Sequence, residues 1–585
     1  MPNWIESSTE VPPFSVSALT SPASSCAPAM APVMMPASGG GAPYPLAFVP
    51  QKDKYASFDL ESPLEEQQLG IELSLKTKQH YLEAYWTSFD PWYPILHKAT
   101  YRTTKNPLLT AAMMAIGAQY TYEPFARGDS RILHGKCLEL IAKYRDVLSS
   151  GSRQDYMHAI FLVEVFSQFK AKRSPPQLSE VFLSMYATLW KFHTNTGRPY
   201  IEGLCTLQPQ LSEPKLRTQW AEWVAAMGYT RLLSACFVFE SMYALTLARA
   251  LHSNPTSGFD LPVPAPLALW DAPDHHQWMH ALQINTPEVV DVSEALDRLC
   301  TGRQPALLAE PFHSAILIAC HAASVQSQKQ ELQAVPFTRP SATHPVFEIE
   351  NATMIEGALC PQPNILILHN MVNLATRTPL RAILATSGES WLLSQRLSQE
   401  ALIAAAEFTS LKSEMRTWTE TAESSFFHGT AGDNVRAAVQ HSLAILHLCI
   451  DVPPASLSFG PEMALYYAAL VLWAVTFGAT SKAAVAGVDF SKSEDDRTFE
   501  AVQAQKDVRR FCHFAQASVS RSMIDGIIPN DHLHDWSSAV SNLLRWSAWI
   551  LGNPDASAST LGELMQNAVG VLGKLSSRGW EGDWF

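Results

Sequence analysis

His275, His276 and His280 form the tightest histidine group in the chain, and the last two have the i, i+4 spacing that lets a helix offer two imidazoles to one zinc ion. A zinc peptidase needs a general-base glutamate after the first of these, but Gln277 stands there and a proline-rich stretch precedes the group. A solvated surface patch is the expected state. His441, His447 and Cys449 fall in one apolar helical stretch and Cys512-His513 in another, so these are expected to be core or satisfied buried residues. Asp495, Asp496 and Glu500 imitate the first half of an isoprenoid cyclase's magnesium site. The second half fails, because Asn530-Asp531 is followed by His534 and Ser538 where a serine and an acid are needed. The acidic group reads better as an exposed helix start, where carboxylates favour the helix dipole. Glycine-rich phosphate loops, a nucleophile elbow and kinase signatures are all missing. The sequence therefore assigns no catalytic, cofactor-binding or metal-ligating residue, and an enzyme is not expected.

Charge narrows the partners. The 585 residues carry a formal net charge of −13, and no basic stripe is visible, so this chain is not built to wrap phosphate backbones by itself. Lys170, Lys172 and Arg173 before Ser174-Pro175 form the one short basic cluster, read as a solvated helix end with cations at its C-terminus rather than an import signal. The acidic-aromatic tail Trp580, Glu581, Asp583, Trp584 and Phe585 reads as a frayed or docked terminus before an activation segment. Nine scattered cysteines without a close pair suit a reducing compartment and buried free thiols. A secretory signal is not expected. The apolar run Met463 to Thr480 contains two tyrosines, a central tryptophan and two threonines, which suits a buried core helix better than a membrane span.

The elements that would position these groups are helices. Residues 1–65 are rich in Pro, Ser, Ala and Gly without sustained periodicity, and are expected to be disordered. Leu82, Tyr85, Trp86 and Phe89 mark one helix face that Pro91 and Pro94 stop. Pro107 suits a first helical turn, and Leu109, Ala112, Met113, Ile116 and Tyr120 repeat the spacing. Leu162, Val165, Phe166 and Phe169 do so again. Tyr229 to Leu245 is apolar around most of its circumference, hence central. Leu261 to Trp278 is expected to be extended, because prolines alternate, with Trp270 and Trp278 pinning it to the bundle. A short helix is expected before Thr301 and another helix from Pro311 to Gln328. Lys329 to Pro363 reads as a mobile loop. Helices follow over 364–383, 388–418, 432–451, 461–478, 496–526, 532–551 and 558–576. The fold class is all-α, a large multi-helix bundle.

Four stretches, in order, resemble the fungal-specific transcription factor domain, also called the middle homology region. These are Phe89 to Tyr101 with Pro94, Ile95, Leu96 and His97; Pro107 to Tyr120 with Gly117-Ala118; Tyr229 to Phe239 around Arg231; and Leu261-Pro262-Val263-Pro264 leading to Leu269-Trp270 and Trp278. The resemblance covers roughly Leu69 to Trp278 and implies an all-helical regulatory domain controlling transcription, often of a pathway or biosynthetic gene cluster, in the nucleus. It implies domains at 66–280 and 281–585, the second packed on the first. Its partners would be the transcription machinery and a small-molecule effector, with no membrane. Members usually carry a zinc-bound DNA reader upstream, for which closely spaced thiolates are needed, and Cys26 stands alone there. DNA contact is therefore expected only through a zinc module missing from this sequence or through a partner factor. The residues themselves are expected to serve packing: Pro91 and Pro94 turn the chain, and Gly117-Ala118 lets helices approach.

Overall fold

The computed structural model describes residues 73–578, apart from 102–105, 146–152, 207–211, 253–259, 285–288, 302–309, 335–351, 390–400, 422–430, 486–499, most of 522–532, 553–560 and a few single positions. Among the described residues the architecture is all-α, as expected. One isolated antiparallel bridge, Pro262 with Asp291, is the only extended pairing among them. The expected disordered segment 1–65 and the tail from Trp580 lie outside the described residues.

The helices are α1 (Leu75–Ala84), α2 (Pro107–Ala118), α3 (Ala126–Lys143), α4 (Gln154–Phe169), α5 (Glu180–Cys205), α6 (Glu213–Thr246), α7 (Leu267–Trp270), α8 (His275–Ile284), α9 (Val292–Cys300) and α10 (Pro311–Ala334). They continue with α11 (Pro363–Arg377), α12 (Leu380–Thr386), α13 (Ala401–Thr421), α14 (Ala431–Ile450), α15 (Pro461–Val485), α16 (Ala501–Arg521), α17 (Leu533–Gly552) and α18 (Glu563–Arg578). Short turns at Lys98–Tyr101 and Ala352–Ala358 complete the set used below. Local chemistry explains many starts. The Ser74, Asn106 and Ser179 side chains accept from the amides of Thr77, Leu109 and Phe182, capping α1, α2 and α5, and Pro107 occupies the first turn where no amide is needed.

One core extends from Leu73 to Leu575, and a smaller cluster gathers Trp223, Trp270 and Trp278 beside it. Helix α6 is the axis. Every residue from Ala226 to Thr246 is buried, because α10, α5 and α4 pack around it. In the C-terminal part, α15 is similarly enclosed, with Tyr466, Tyr467 and Trp473 at or below 1% exposure. Its length and composition alone would allow a membrane span, but its burial among α14, α17 and α11 is that of the core helix expected.

Four expectations need correction. The aromatic helix does not end cleanly at Pro91: α1 widens into a π-helical turn over Tyr85–Phe89, with the Asp90 amide reaching the Tyr85 carbonyl, and the buried face is Tyr81, Tyr85 and Phe89 while Leu82 and Trp86 are only half-buried. The proline-rich passage is extended only through Pro266, and Trp270 and Trp278 sit on α7 and α8. The presumed loop 329–363 includes the end of α10 and the turn Ala352–Ala358. The expected helix 364–383 also breaks into α11 and α12 at Pro379.

Gly117 allows the closest helix contact in the matched motifs. A Cβ there would lie 1.9 Å from the Tyr81 carbonyl oxygen, which belongs to α1 backbone and cannot swing away. We predict that Gly117→Ala destabilises the protein by at least about 1–3 kcal/mol in chemical denaturation. Wild-type stability in that variant would mean that α1 and α2 do not pack this closely.

Candidate functional site

Three of the four motif stretches meet around one side chain, Arg231, which is completely buried in the middle of α6. What draws it there is the backbone of the strap Leu261 to Pro266. Proline at 262, 264 and 266 removes three amides while leaving every carbonyl, so the strap cannot satisfy itself and needs outside donors. Several of its groups find partners on neighbouring elements. Val263 donates its amide to the Val290 carbonyl at 2.8 Å, and the Leu261 carbonyl receives the Val292 amide at 2.8 Å. The Pro264 carbonyl pairs with His313 Nε2 at 2.9 Å, and the Ala265 carbonyl accepts from Arg231 Nη2. Leu267 donates its amide to Glu310 at 2.8 Å, and the Pro266 carbonyl accepts the amides of Leu269 and Trp270 as α7 begins.

Arg231 also donates to the Pro94 carbonyl at 3.4 Å, tying the turn after the π-helix to the same point. Its guanidinium lies 4.8 Å from the Trp270 ring centre and 5.9 Å from that of Phe312. The next residues of that turn join in. His97 is buried, contacts the Ala272 carbonyl through Nε2 at 3.2 Å, and is edge-on to Trp270 and Trp220 at 5.1 and 5.8 Å. Burial holds its pKa below the ordinary imidazole value, so the ring is neutral.

Asp90, Asp271 and Glu310 surround the guanidinium. Burial raises all three carboxyls above their ordinary range, and Arg231 pulls each back towards ionisation. Burial also lowers Arg231, to about 10, so it remains a cation at neutral pH. Asp90 Oδ1 is buried without a hydrogen-bond partner. The cluster supplies a fixed cation and three carboxyls whose charge burial disfavours, with no nucleophile among them. It is a polar joint holding α6, α10, the strap and the Pro94 turn.

A second joint links this region to the C-terminal helices. Lys170, at the end of α4, is not the solvated cation expected: Nζ lies 2.8 Å from Glu462 Oε1, with the two side chains 12% and 5% exposed. Lys172 and Arg173 are exposed, as expected. Phe459 has φ 63°, a left-handed conformation costly for a bulky residue, and its ring meets Phe89, Tyr120 and Phe166 at 5.7, 5.8 and 6.4 Å. Lys170 lies 5.2 Å over that ring. Nearby, Glu563 accepts the Ser174 amide at 2.9 Å and donates its own amide to the Ala171 carbonyl at 3.0 Å. The cleft lined by Gln119, Arg127, Lys170, Glu462 and Met565 encloses 40 Å³, room for a few waters.

The histidine group is arranged differently from its spacing. His275 and His276 start α8, and Glu213, first residue of α6, brings Oε1 to 3.2 Å from Nε2 of each. His275 is buried against expectation, because Trp220 and Trp278 flank the start of α8; His276 and His280 are exposed, and His280 stays outside the cluster. His441 bonds Asn370 Oδ1 at 2.9 Å, and Cys449 and Cys512 are buried thiols whose pKa burial raises, as expected of core residues. His447 and His513 are exposed instead, facing one another at 6.2 Å between α14 and α16. Asp495, Asp496, Asn530 and Asp531 lie outside the described residues.

Comparison with known proteins decides the nature of this region. The model of the fungal specific transcription factor domain matches residues 82–334. Over those residues the chain is similar to this domain family. The match runs from the last turns of α1 to the final residue of α10 and so includes Glu310, Phe312 and His313, which complete the Arg231 joint. Similar curated proteins are zinc finger protein klf1 of Schizosaccharomyces pombe, 24% identical over 35% of this chain, and the nicotinate catabolism cluster-specific transcription factor of Emericella nidulans, 23% identical over 38%. Zinc finger protein zas1 of Schizosaccharomyces pombe is 21% identical over 42%. The match spans about a quarter of each relative: 26%, 24% and 27% of their lengths. No solved structure matches the chain.

Sequence reading named Arg231, Pro94 and the strap but not Glu310 or His313, whose signal was only a helix start after an unassigned stretch. We predict that Arg231→Met costs about 3–5 kcal/mol in chemical denaturation, because it leaves the strap carbonyls and the acids without their cation. Arg231→Lys should lose at least about 1–3 kcal/mol, since one ammonium cannot reach two carbonyls and stack on Trp270. Equal stability of all three proteins would contradict the role given to the guanidinium.

Proposed function

We propose that this protein is a fungal transcription regulator, acting in the nucleus, whose helical domain receives a signal from an effector or a protein partner and passes it to the transcription machinery. The match of residues 82–334 carries the reading. Support comes from the relatives, one of which is described as a cluster-specific transcription factor, and from a site built of structural joints rather than reacting groups. A biosynthetic gene cluster or metabolic pathway is the proposed target. An enzymatic role is not proposed, because Arg231 is engaged with backbone carbonyls and Glu310 with the Leu267 amide.

The net charge of −13 favours contact with DNA through a separate zinc module or through a DNA-bound partner factor, as a corepressor or scaffold would use. Gene deletion followed by transcript profiling tests the reading. Transcripts of a coherent, neighbouring set of genes should change in the deletion strain, and chromatin occupancy of the tagged protein should map to their promoters. Unchanged transcripts together with a lost metabolite would overturn it in favour of a biosynthetic enzyme.

A further inference from the structure

We propose that Glu213, His275 and His276 form a zinc-binding clamp that joins the first turn of α6 to the first turn of α8. The donors come from sites 62 and 63 residues apart in sequence, yet Glu213 Oε1 is 3.2 Å from Nε2 of both histidines. Ligands bound to zinc at about 2.0–2.1 Å in a tetrahedron lie about 3.3 Å apart, so two edges of the required figure are already present. The three donor atoms all lie within 4.8 Å of one another, which leaves one edge to shorten.

The geometry is held from outside the cluster. Asp274 accepts the amides of His276 and Gln277, each at 2.9 Å, which fixes the first turn of α8. His275 is 5% exposed and packed towards Trp220, with ring centres 6.5 Å apart. The neighbouring imidazoles are 4.1 Å apart, centre to centre. Two imidazoles and a carboxylate are a donor set that zinc takes. His276 and Glu213 are exposed, giving the ion an entry path and water the fourth position.

The clamp spans the strap's exit. Because α8 follows the strap and α6 carries Arg231, an occupied site would stabilise the same arrangement that Arg231 holds from inside. It stands apart from the proposed regulatory role and would hold for this fold whatever it controls.

Zinc titration of the metal-stripped full chain, read by calorimetry and by Tm, tests it, with zinc X-ray absorption reporting the donor atoms. One saturable equivalent, a raised Tm and a shell of nitrogen and oxygen only are expected. His276→Ala and Glu213→Gln, both at exposed positions, should each weaken that equivalent at least about tenfold, whereas His280→Ala should leave it unchanged. Absence of saturable binding, sulfur in the shell, or wild-type affinity in both ligand variants would overturn the assignment.

Discussion

A peptide segment with proline at every second position keeps its carbonyls but loses half its amides, and once buried those carbonyls need donors from other elements. Leu261 to Pro266 is such a segment, and Arg231 is the donor on which its burial depends. An arginine suits the task because its planar fork reaches the Pro94 and Ala265 carbonyls together while its face rests on Trp270. Its charge is answered by Asp90, Asp271 and Glu310, which come from three different parts of the chain. The helices of the domain are thus ordered around a cation that none of them could bury alone.

The Lys170–Glu462 pair extends the same logic to the rest of the chain. It joins residues 292 positions apart and sits beside Phe459, whose left-handed backbone is tolerated because its ring fills a gap among Phe89, Tyr120 and Phe166. Displacement of α15 or α18 would therefore be felt at the end of α4, and through it at α6, against which α4 packs.

Much of this was legible in sequence, for reasons tied to local periodicity. Pro107, the Gly117 contact, the burial of Trp270 and Trp278, and the enclosed helix at Met463 follow from spacing and side-chain type. Lys170 and His275 were misread as solvated because their partners, Glu462 and Glu213, are remote in sequence, and nothing in a helical period announces a partner at that distance. The π-helical turn at Tyr85 depends on tertiary demand: widening the turn keeps Tyr81, Tyr85 and Phe89 in the core. The helical continuation from Lys329 to Ala334 was hidden by its polar composition.

Native-state hydrogen exchange on the amides of the strap and of α7 tests the central claim most directly. If Arg231 holds the strap as part of the core, the amides of Val263, Leu267 and Leu269 should exchange only through the same global opening as those of α6. Exchange of these amides through a local opening, orders of magnitude faster than the α6 amides, would show the strap to be a loosely laid surface segment and would contradict the account.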